Sequence, residues 1–433
     1  MLGLRFPALD DKHTDSYYAA TTDAETYPAL AGDIDADVVV VGGGFSGVNT
    51  ALELAERGMD VVLLEARRIA WGASGRNGGQ VIGGVGHDPE RFRHSIGDDG
   101  VEMIHRIGVE CVDIIRERVA QYAIDCDLRW GFCEVALKPR HLRSLEASER
   151  EERARGYPHE LQLLDREELR CFVGSDLYLG GLYDPTGAGH VHPMKLCQGE
   201  AAAAAALGTK LFELSPVVRM EHGERPRVFT AEGSVQARAL VLCGNGYMDY
   251  LEPRAAKLLV PASSCIICTA ALPEELAASV LPRDIAVCDM RTALDYFRMT
   301  ADRRLLFGGL ANYTGLVPAG YRDVMWKKML KVFPQLASAS IEYAWDGQLA
   351  IGMNRMPQAG MLGPNSYYIQ AYSGHGVAPS HVMARMAAEA ICGDTTRFDV
   401  MRAIRHWPFP GGRYLRRPVM ALGMLYFKAL DFF

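Results

Sequence analysis

The 433-residue chain predicts an α/β plus α+β architecture, in which a discontinuous Rossmann-like dinucleotide-binding domain is interrupted by an inserted, mostly antiparallel β-sheet substrate domain. Three observations predict it. "VVVVGGGFSGVN", Val38–Asn49, joins an apolar run to a glycine turn and a helical pattern. "MDVVLLEA" follows as a second apolar run ending on Glu65. The strand, turn and helix that complete such a sheet return only near the C-terminus, in "YYIQAYSGHGVAPSHVMARMAAEAICG".

Val38–Val41 shows no alternation, the pattern of a strand buried on both faces of a parallel sheet. Gly42, Gly44 and Gly47 fit G-x-G-x-x-G: the first permits a tight turn, the second lets backbone approach a pyrophosphate, the third lets helix pack on strand. Apolar residues at helical spacing then start a helix near Phe45 that stops at Gly58. Its N-terminus offers free N–H groups and the positive dipole end to phosphate. Glu65 lies about 20 residues beyond the glycines, where such folds place the acid that grips the adenosine ribose. A glycine turn alone is weak evidence; the ordered strand–turn–helix–strand–Glu unit is strong.

Beyond Glu65, "ARRIAWGASGRNGGQVIGG" is dense in glycine, so backbone passes close to something. Helical periodicity marks 100–119, 141–155 and "HPMKLCQGEAAAAAALG", the last ending at Gly208, with a strand in "DCDLRWGFCEVAL". Residues 210–244 read as short strands ending in the buried "ALVLCGN". Residues 263–309 are β-rich, with "LDYFRMTADRRLLFGG" as a hairpin. A helix follows at 321–333 and a strand at 341–349. The resulting division is an N-terminal extension (1–36), a dinucleotide-binding domain (37–95, 150–250 and 340–400), a substrate domain (96–149 and 251–339) and a C-terminal segment (401–433).

The formal charge of −7 argues against a nucleic-acid partner. The ten cysteines are spread singly, mostly in apolar segments, and read as buried thiols of a reducing, cytoplasmic compartment. Cys265 and Cys268 form a C-x-x-C without a second pair or a histidine cluster, so a core strand is expected there and no metal. No apolar run reaches the ~20 residues of a membrane span. The C-terminal "RYLRRPVMALGMLYFKALDFF" is compatible with a peripheral membrane anchor and with a terminal helix docked on its own core or on the partner of a homo-oligomer. The lack of a clean polar face favours docking.

A glutamate at position 65 suits FAD and NAD equally. The wide separation of the two sheet-forming halves favours FAD, because NAD enzymes usually complete the sheet contiguously.

Several motifs together resemble the D-amino-acid-oxidase-like superfamily of FAD amine oxidases: "VVGGGFSGVNTALELAERG", "LLEARRIAWGASGRNGGQ", "GAGHVHPMKL", "LDYFRMTADRRLLFGG" and "YSGHGVAPSH". More closely, "SYYAA", "GASGRNGGQ", "LDYFR", "NRMPQAG", "YSGHGV" and "PFPGGR" resemble the bacterial γ-glutamylputrescine oxidase family, over nearly the whole chain. The resemblance implies noncovalent FAD, since neither "DGQLAIGMNRMPQAG" nor "SGRNGG" holds a cysteine or histidine for covalent attachment. It places the pyrophosphate on Gly42, Gly44, Phe45, Ser46 and Gly47, and the ribose on Glu65. Ala66, Arg67 and Arg68 fall near the adenosine end, with adenine on the backbone of Val217 and Gly244 close by. Gly72, Ala73, Ser74, Gly75, Arg76, Asn77, Gly78 and Gly79 run along the phosphates and the flavin ring. Gly374, His375, Gly376 and Val377 return under the pyrimidine edge, where a helix N-terminus stabilises a developing negative charge. His375 is expected to face the flavin, whereas His190 and His192 are expected to be structural.

The implied reaction is oxidation of an amine C–N bond. Hydride passes from the α-carbon to flavin N5, the imine hydrolyses to aldehyde and ammonia, and oxygen leaves as H2O2. Sarcosine oxidases clamp an α-carboxylate with an arginine after the glycine loop and a lysine after "GHG"; the matching places here, "QVIGG" and Val377–Ala378, are uncharged. A long-chain amine such as γ-glutamylputrescine therefore fits better than an amino acid. Tyr247, Tyr296, Trp345 and Tyr372 are expected to cage the alkyl-ammonium. Arg298 is expected to meet a distal carboxylate or to tune oxygen reactivity. The alternatives are a flavin dehydrogenase or oxidase of a sarcosine- or pipecolate-like acid, with or without a membrane quinone as acceptor, and a flavin-binding module without turnover.

Overall fold

The computed structural model describes residues 12–248, 251–312, 314–410, 412, 415, 419 and 420. The first sheet has eight strands, in the order Gln358–Gly363, Ser366–Gln370, Gly233–Leu242, Gly32–Val41, Val61–Leu64 and Lys210–Phe212, with Arg219–Glu221 and Arg227–Phe229 paired off its centre. From Ser366–Gln370 to Lys210–Phe212 the strands are parallel. Val38, Val39, Val40 and all of Val61–Leu64 are buried, as continuous β-branched and leucine runs require between two covering layers. On one face, helices Phe45–Glu56, Arg93–Gln121, Pro193–Ala206 and Val377–Ile391 pack together over a shared core. Buried Glu53, on the first of them, ties in two others, accepting from Arg118 at 2.5 Å and Arg385 at 2.9 Å.

The second sheet has nine strands: Ile341–Gly352, Leu259–Thr269, Leu305–Asn312, Tyr296–Met299, Ala286–Asp289, Arg129–Ala136, Gly180–His190 and Gln80–Val81, with Gln162–Leu164 beside Gly180–His190. Its one parallel pair is Ala286–Asp289 with Arg129–Ala136; every other pairing is antiparallel. Helices Tyr321–Val332 and Glu274–Val280 cover one face over a core that includes Met325, Met329, Phe297 and Phe307. The other face looks toward the first unit through Ile266, Cys268, Leu306 and Trp345. Cys265 belongs to one core and Cys268 to the other; three residues apart on one strand, they point to opposite faces, so the C-x-x-C does not converge.

Several boundaries differ from the sequence expectation. The first strand begins at Gly32, inside the supposed extension, because its polar first half is laced at the surface by Asp33–Arg227 (2.9 Å) and Asp35–Arg225 (3.4 Å) ion pairs instead of being buried. Residues 162–190 and 341–352, assigned to the dinucleotide domain, supply strands to the second sheet. Strand Gly180–His190 is a partner of Arg129–Ala136, and its glycines conceal it: a Cβ on Gly189 would stand 2.2 Å from the Arg129 carbonyl oxygen. Helix Arg93–Gln121, assigned to the substrate domain, packs on Val377–Ile391; a short helical piece at 93–96 precedes a break at Gly97 (φ 72°), beyond which the helix runs on to Gln121. Nor is the N-terminal segment peripheral: Ser16, Tyr17 and Tyr18 are buried. Among the described residues no helix is long and apolar enough to cross a membrane. The basic–apolar C-terminal segment lies almost entirely outside the described residues.

Candidate functional site

The phosphate turn is built by exclusion of side chains. Gly42 sits at φ 113°, and a Cβ on Gly47 would stand 1.8 Å from the Gly42 carbonyl oxygen. A Cβ on Gly44 would stand 2.8 Å from Ser74 Oγ, which itself accepts the Phe45 N–H at 2.8 Å. No described acceptor takes the Ser46 or Gly47 N–H, so helix Phe45–Glu56 presents open donors at its positive end. Glu65 accepts from the N–H groups of Gly43 (2.6 Å) and Arg67 (2.8 Å), while burial pushes its carboxyl pKa upward. Each oxygen keeps acceptor capacity for a hydroxyl. Val217 has neither backbone N–H nor carbonyl engaged by a described partner, so its edge is open to a planar base. Next to Ala66, which is exposed, Arg67 lies over the Trp71 ring (4.7 Å) and Arg68 pairs with Glu213 at 2.7 Å.

The loop over 72–79 is held through its carbonyls. Trp345 Nε1 donates to the Arg76 carbonyl (3.0 Å) and Arg298 Nε to that of Gly78 (2.8 Å). Asn77 accepts the Gly79 N–H at 2.7 Å and donates back to Ala73 and Ser74. Arg76 donates to the Trp71 carbonyl (2.8 Å) and lies 4.3 Å from the Trp71 ring centroid. The backbone of Gly72 passes beneath Tyr247, and that of Gly78 beneath Tyr296, where a Cβ would come within 2.4 Å of the ring.

The third segment is the turn between strand Ser366–Gln370 and helix Val377–Ile391. Ala371 (φ 62°), Ser373 (φ 57°) and Gly374 (φ 92°) are all left-handed. For the two non-glycines this costs about 1–3 kcal/mol each. The Ala371 N–H on Asn245 Oδ1 (2.9 Å) and the Ser373 N–H on the Ala350 carbonyl (2.9 Å) hold it. Gly376 caps the helix without a side-chain bond, leaving the Val377 and Ala378 donors open. His375 lies against the backbone of Ile82, Gly83 and Gly84; burial lowers its pKa and its Nε2 has no partner. It is a neutral imidazole with an orphaned buried nitrogen.

The expected aromatic cage does not assemble. Tyr372 is buried and its hydroxyl shares a 2.6 Å bond with Ser46 Oγ, making it a strut beneath the phosphate turn. Trp345 is 1% exposed and spent on Arg76. Arg298, 2% exposed, donates to Gly78, Met299 and Tyr18, so it has no outward fork for a distal carboxylate. Tyr247 is 44% exposed, and Tyr296 is half-buried against Gly78 and Gly308. His190 and His192 are structural, as expected: His190 lies 3.1 Å from Asp284, and His192 caps helix Pro193–Ala206 by accepting the Lys195 N–H.

One charged residue near the site was missed. Arg355, in "NRMPQAG", is left-handed (φ 58°), half-buried and has no hydrogen bond or ion pair to a described side chain. It acts electrostatically on His87, whose pKa burial, then Arg355 and His375, lower to about 4. The signal in the sequence was an arginine inside a motif already singled out.

A glycine cradle, a helix N-terminus, a ribose-type carboxylate and a second strained helix N-terminus, on a parallel sheet joined to an antiparallel one, define a dinucleotide-binding protein. The comparisons agree: a family model described as FAD dependent oxidoreductase matches residues 37–390, and the chain belongs to that family. Its cofactor is FAD, and it is an oxidoreductase. It is 43% identical over 422 residues, 97% of this chain and 99% of the relative, to γ-glutamylputrescine oxidoreductase of Escherichia coli (strain K12). It is 37% identical to the probable oxidoreductase OrdL of Haemophilus influenzae, over 97% of this chain and 98% of the relative. Glycine oxidase from Geobacillus kaustophilus shares the fold with a TM-score of 0.70 at 20% identity, over 86% of this chain and 99% of that one.

Proposed function

We propose that the protein oxidises the C–N bond of an amine, with γ-glutamylputrescine or a closely related polyamine-derived amine as substrate. The observation that carries this is the 43% identity to the Escherichia coli γ-glutamylputrescine oxidoreductase, end to end. FAD, bound noncovalently, supplies the two-electron acceptor. The balance is amine plus O2 plus water giving aldehyde, ammonia and H2O2. The C–N single bond becomes C=N with loss of two electrons and two protons, and water then cleaves the imine.

The chain's own residues supply binding, orientation and a dry site. The Val377 and Ala378 N–H groups, at a helix N-terminus, would hold the ring edge and favour negative charge there. His375, held neutral by burial, adds no positive charge to repel an ammonium on its way in. The segments beside it, 80–84 and 377–378, carry no charge, so a carboxylate next to the reacting carbon would be desolvated without a partner. Arg355 fits the opposite end of the substrate: its guanidinium takes the glutamyl carboxylate at a distance from the ring, the part first expected of Arg298. All ten cysteines are free thiols, which supports a reducing compartment such as the cytoplasm.

The test is anaerobic reduction of the flavin band near ~450 nm by γ-glutamylputrescine, putrescine, sarcosine and L-pipecolate. Fast bleaching by γ-glutamylputrescine is expected, with peroxide on readmission of air and much weaker bleaching by putrescine. Arg355→Gln is expected to raise KM for γ-glutamylputrescine about tenfold, the equivalent of ~1.4 kcal/mol, and to leave putrescine unchanged. Bleaching by sarcosine or pipecolate alone would overturn the substrate assignment.

A further inference from the structure

The N-terminal segment carries a buried latch onto the 72–79 loop. Ser16 Oγ accepts the Ala19 N–H (3.1 Å), capping a single turn that sends Tyr17 and Tyr18 inward. Tyr17 donates to Asp302 Oδ1 (2.9 Å) on the hairpin of the second sheet. Tyr18 is fully buried; its hydroxyl accepts from Arg298 Nη2 (3.1 Å), and its ring packs edge-on against Trp345 (5.3 Å between centroids). Trp345 and Arg298 are the two side chains that hold the loop carbonyls of Arg76 and Gly78. Tyr18 therefore touches both anchors at once.

Arg298 is unusual in its charge balance. It is a buried guanidinium with no carboxylate at ion-pair distance among the described residues, Asp284 feeling its charge only from further off; its bonds go to two backbone carbonyls and one phenol. A buried cation left this way is costly, so its retention calls for a local role. That role is visible at the peptide joining Gly78 to Gly79. Arg298 holds its carbonyl and Asn77 Oδ1 its N–H, while Gly79, at φ 73°, brings the backbone so close that a Cβ would stand 2.9 Å from Arg298 Nη2. With both ends taken, the peptide plane cannot flip.

We propose that Tyr18 and Arg298 are positioning residues for the redox reaction: together they lock the orientation of the Gly78–Gly79 peptide, and through it the face the loop turns to the flavin. The proposal rests on the FAD assignment, which reduction of the wild-type flavin by an amine tests separately. The experiment compares holoenzymes of wild type, Tyr18→Phe, Arg298→Lys and Arg298→Met by visible spectrum, FAD affinity, melting temperature, kcat and KM. Tyr18→Phe keeps the ring packing and removes only the hydroxyl that accepts from Arg298. It is expected to shift the resolved flavin band and to lower kcat about tenfold, with KM within about twofold and little change in melting temperature. Arg298→Lys, which keeps the charge and can reach one carbonyl, is expected to recover part of the kcat that Arg298→Met loses. An unaltered spectrum and kcat in Tyr18→Phe would overturn the proposal, as would losses in all three variants that follow melting temperature while the spectrum stays at wild type. Should Arg298→Met fail to fold, Tyr18→Phe and Arg298→Lys decide it.

Discussion

The phosphate turn and the 72–79 loop serve one cofactor and are built in opposite ways. In the turn the working parts are backbone, and most of the residues that shape it lie within one strand–turn–helix–strand unit, Gly42, Gly44, Gly47, the helix start at Phe45 and Glu65, with Ser74 and Tyr372 bracing it from outside. In the loop the backbone is passive and is held by side chains remote in sequence. Arg298 is 220 positions from Gly78, Trp345 is 269 from Arg76, and Tyr18 comes from the opposite end of the chain. A site made of backbone and local spacing is written in a motif. A site made of long-range side-chain anchors is written in residues whose partners only the fold reveals.

The largest effect is expected in the turn. Gly47→Ala places a methyl 1.8 Å from the Gly42 carbonyl oxygen, a clash that only backbone displacement relieves. FAD affinity is expected to fall more than ~100-fold, about 2.7 kcal/mol, measured by flavin fluorescence on adding FAD to the apoprotein. Gly58→Ala is the control. It too has positive φ (76°), but nothing lies within 4 Å of its Cβ, so it strains the chain by roughly 1 kcal/mol and leaves FAD bound. Equal loss of FAD in both variants would show that the turn is merely part of a fragile fold.

This contrast accounts for what was legible in the sequence. The parallel strands, the helix at Phe45, Glu65 and the return helix at Val377 follow from apolar runs and glycine spacing. Strand Gly180–His190 escaped notice because Gly180, Gly181, Gly187 and Gly189 and Pro185 disguise it. Those glycines exist to let neighbouring strands approach, and a Cβ on Gly181 would come 2.8 Å from Cys133 Sγ. Tyr372, Trp345 and Arg298 were expected to contact substrate, whereas their polar groups are bonded to Ser46, Arg76 and Gly78. Aromatic and basic residues look alike in sequence whether they line a pocket or brace its wall; the difference is burial. Tyr17 and Tyr18 carried the same ambiguity in an apparently polar extension.

A smaller effect sharpens the loop side. Trp345→Phe keeps most of the packing and leaves the Arg76 carbonyl without its donor, which costs about 1–3 kcal/mol for a buried polar group. The expected outcome is a melting temperature several degrees lower and a lower kcat, with FAD still bound. Substrate KM is the discriminating number. If Trp345 were part of a substrate cage, KM would rise and stability would hold; as a loop anchor, the variant is expected to show the reverse.

The smallest expected effect is a pH slope at the junction of the two regions. His192 lies beside the latch, its ring 4.8 Å from that of Tyr18, with Nδ1 accepting the Lys195 N–H and Nε2 bonded to Thr21 Oγ1. Thr21 spends its own hydroxyl proton on the Tyr17 carbonyl, so His192 donates from Nε2 and is neutral. Burial, then the charges of Arg298 and Lys195, lower its pKa to about 3. An unfolded histidine titrates near its ordinary ~6.5, so between these values the unfolded chain binds the proton that the folded one refuses. Stability is therefore full above about pH 6.5 and falls on acidification toward pH 3, at up to ~1.4 kcal/mol per pH unit. His192→Asn keeps a side-chain acceptor at the helix cap and removes the titration. Between pH 7 and 5 its unfolding free energy is expected to decline less steeply than that of wild type, by the equivalent of up to one proton, with flavin absorbance as a second probe. An identical slope in the two proteins would mean that His192 takes up its proton in the folded state as readily as in the unfolded one, and that its Nδ1 gives up the Lys195 N–H on acidification.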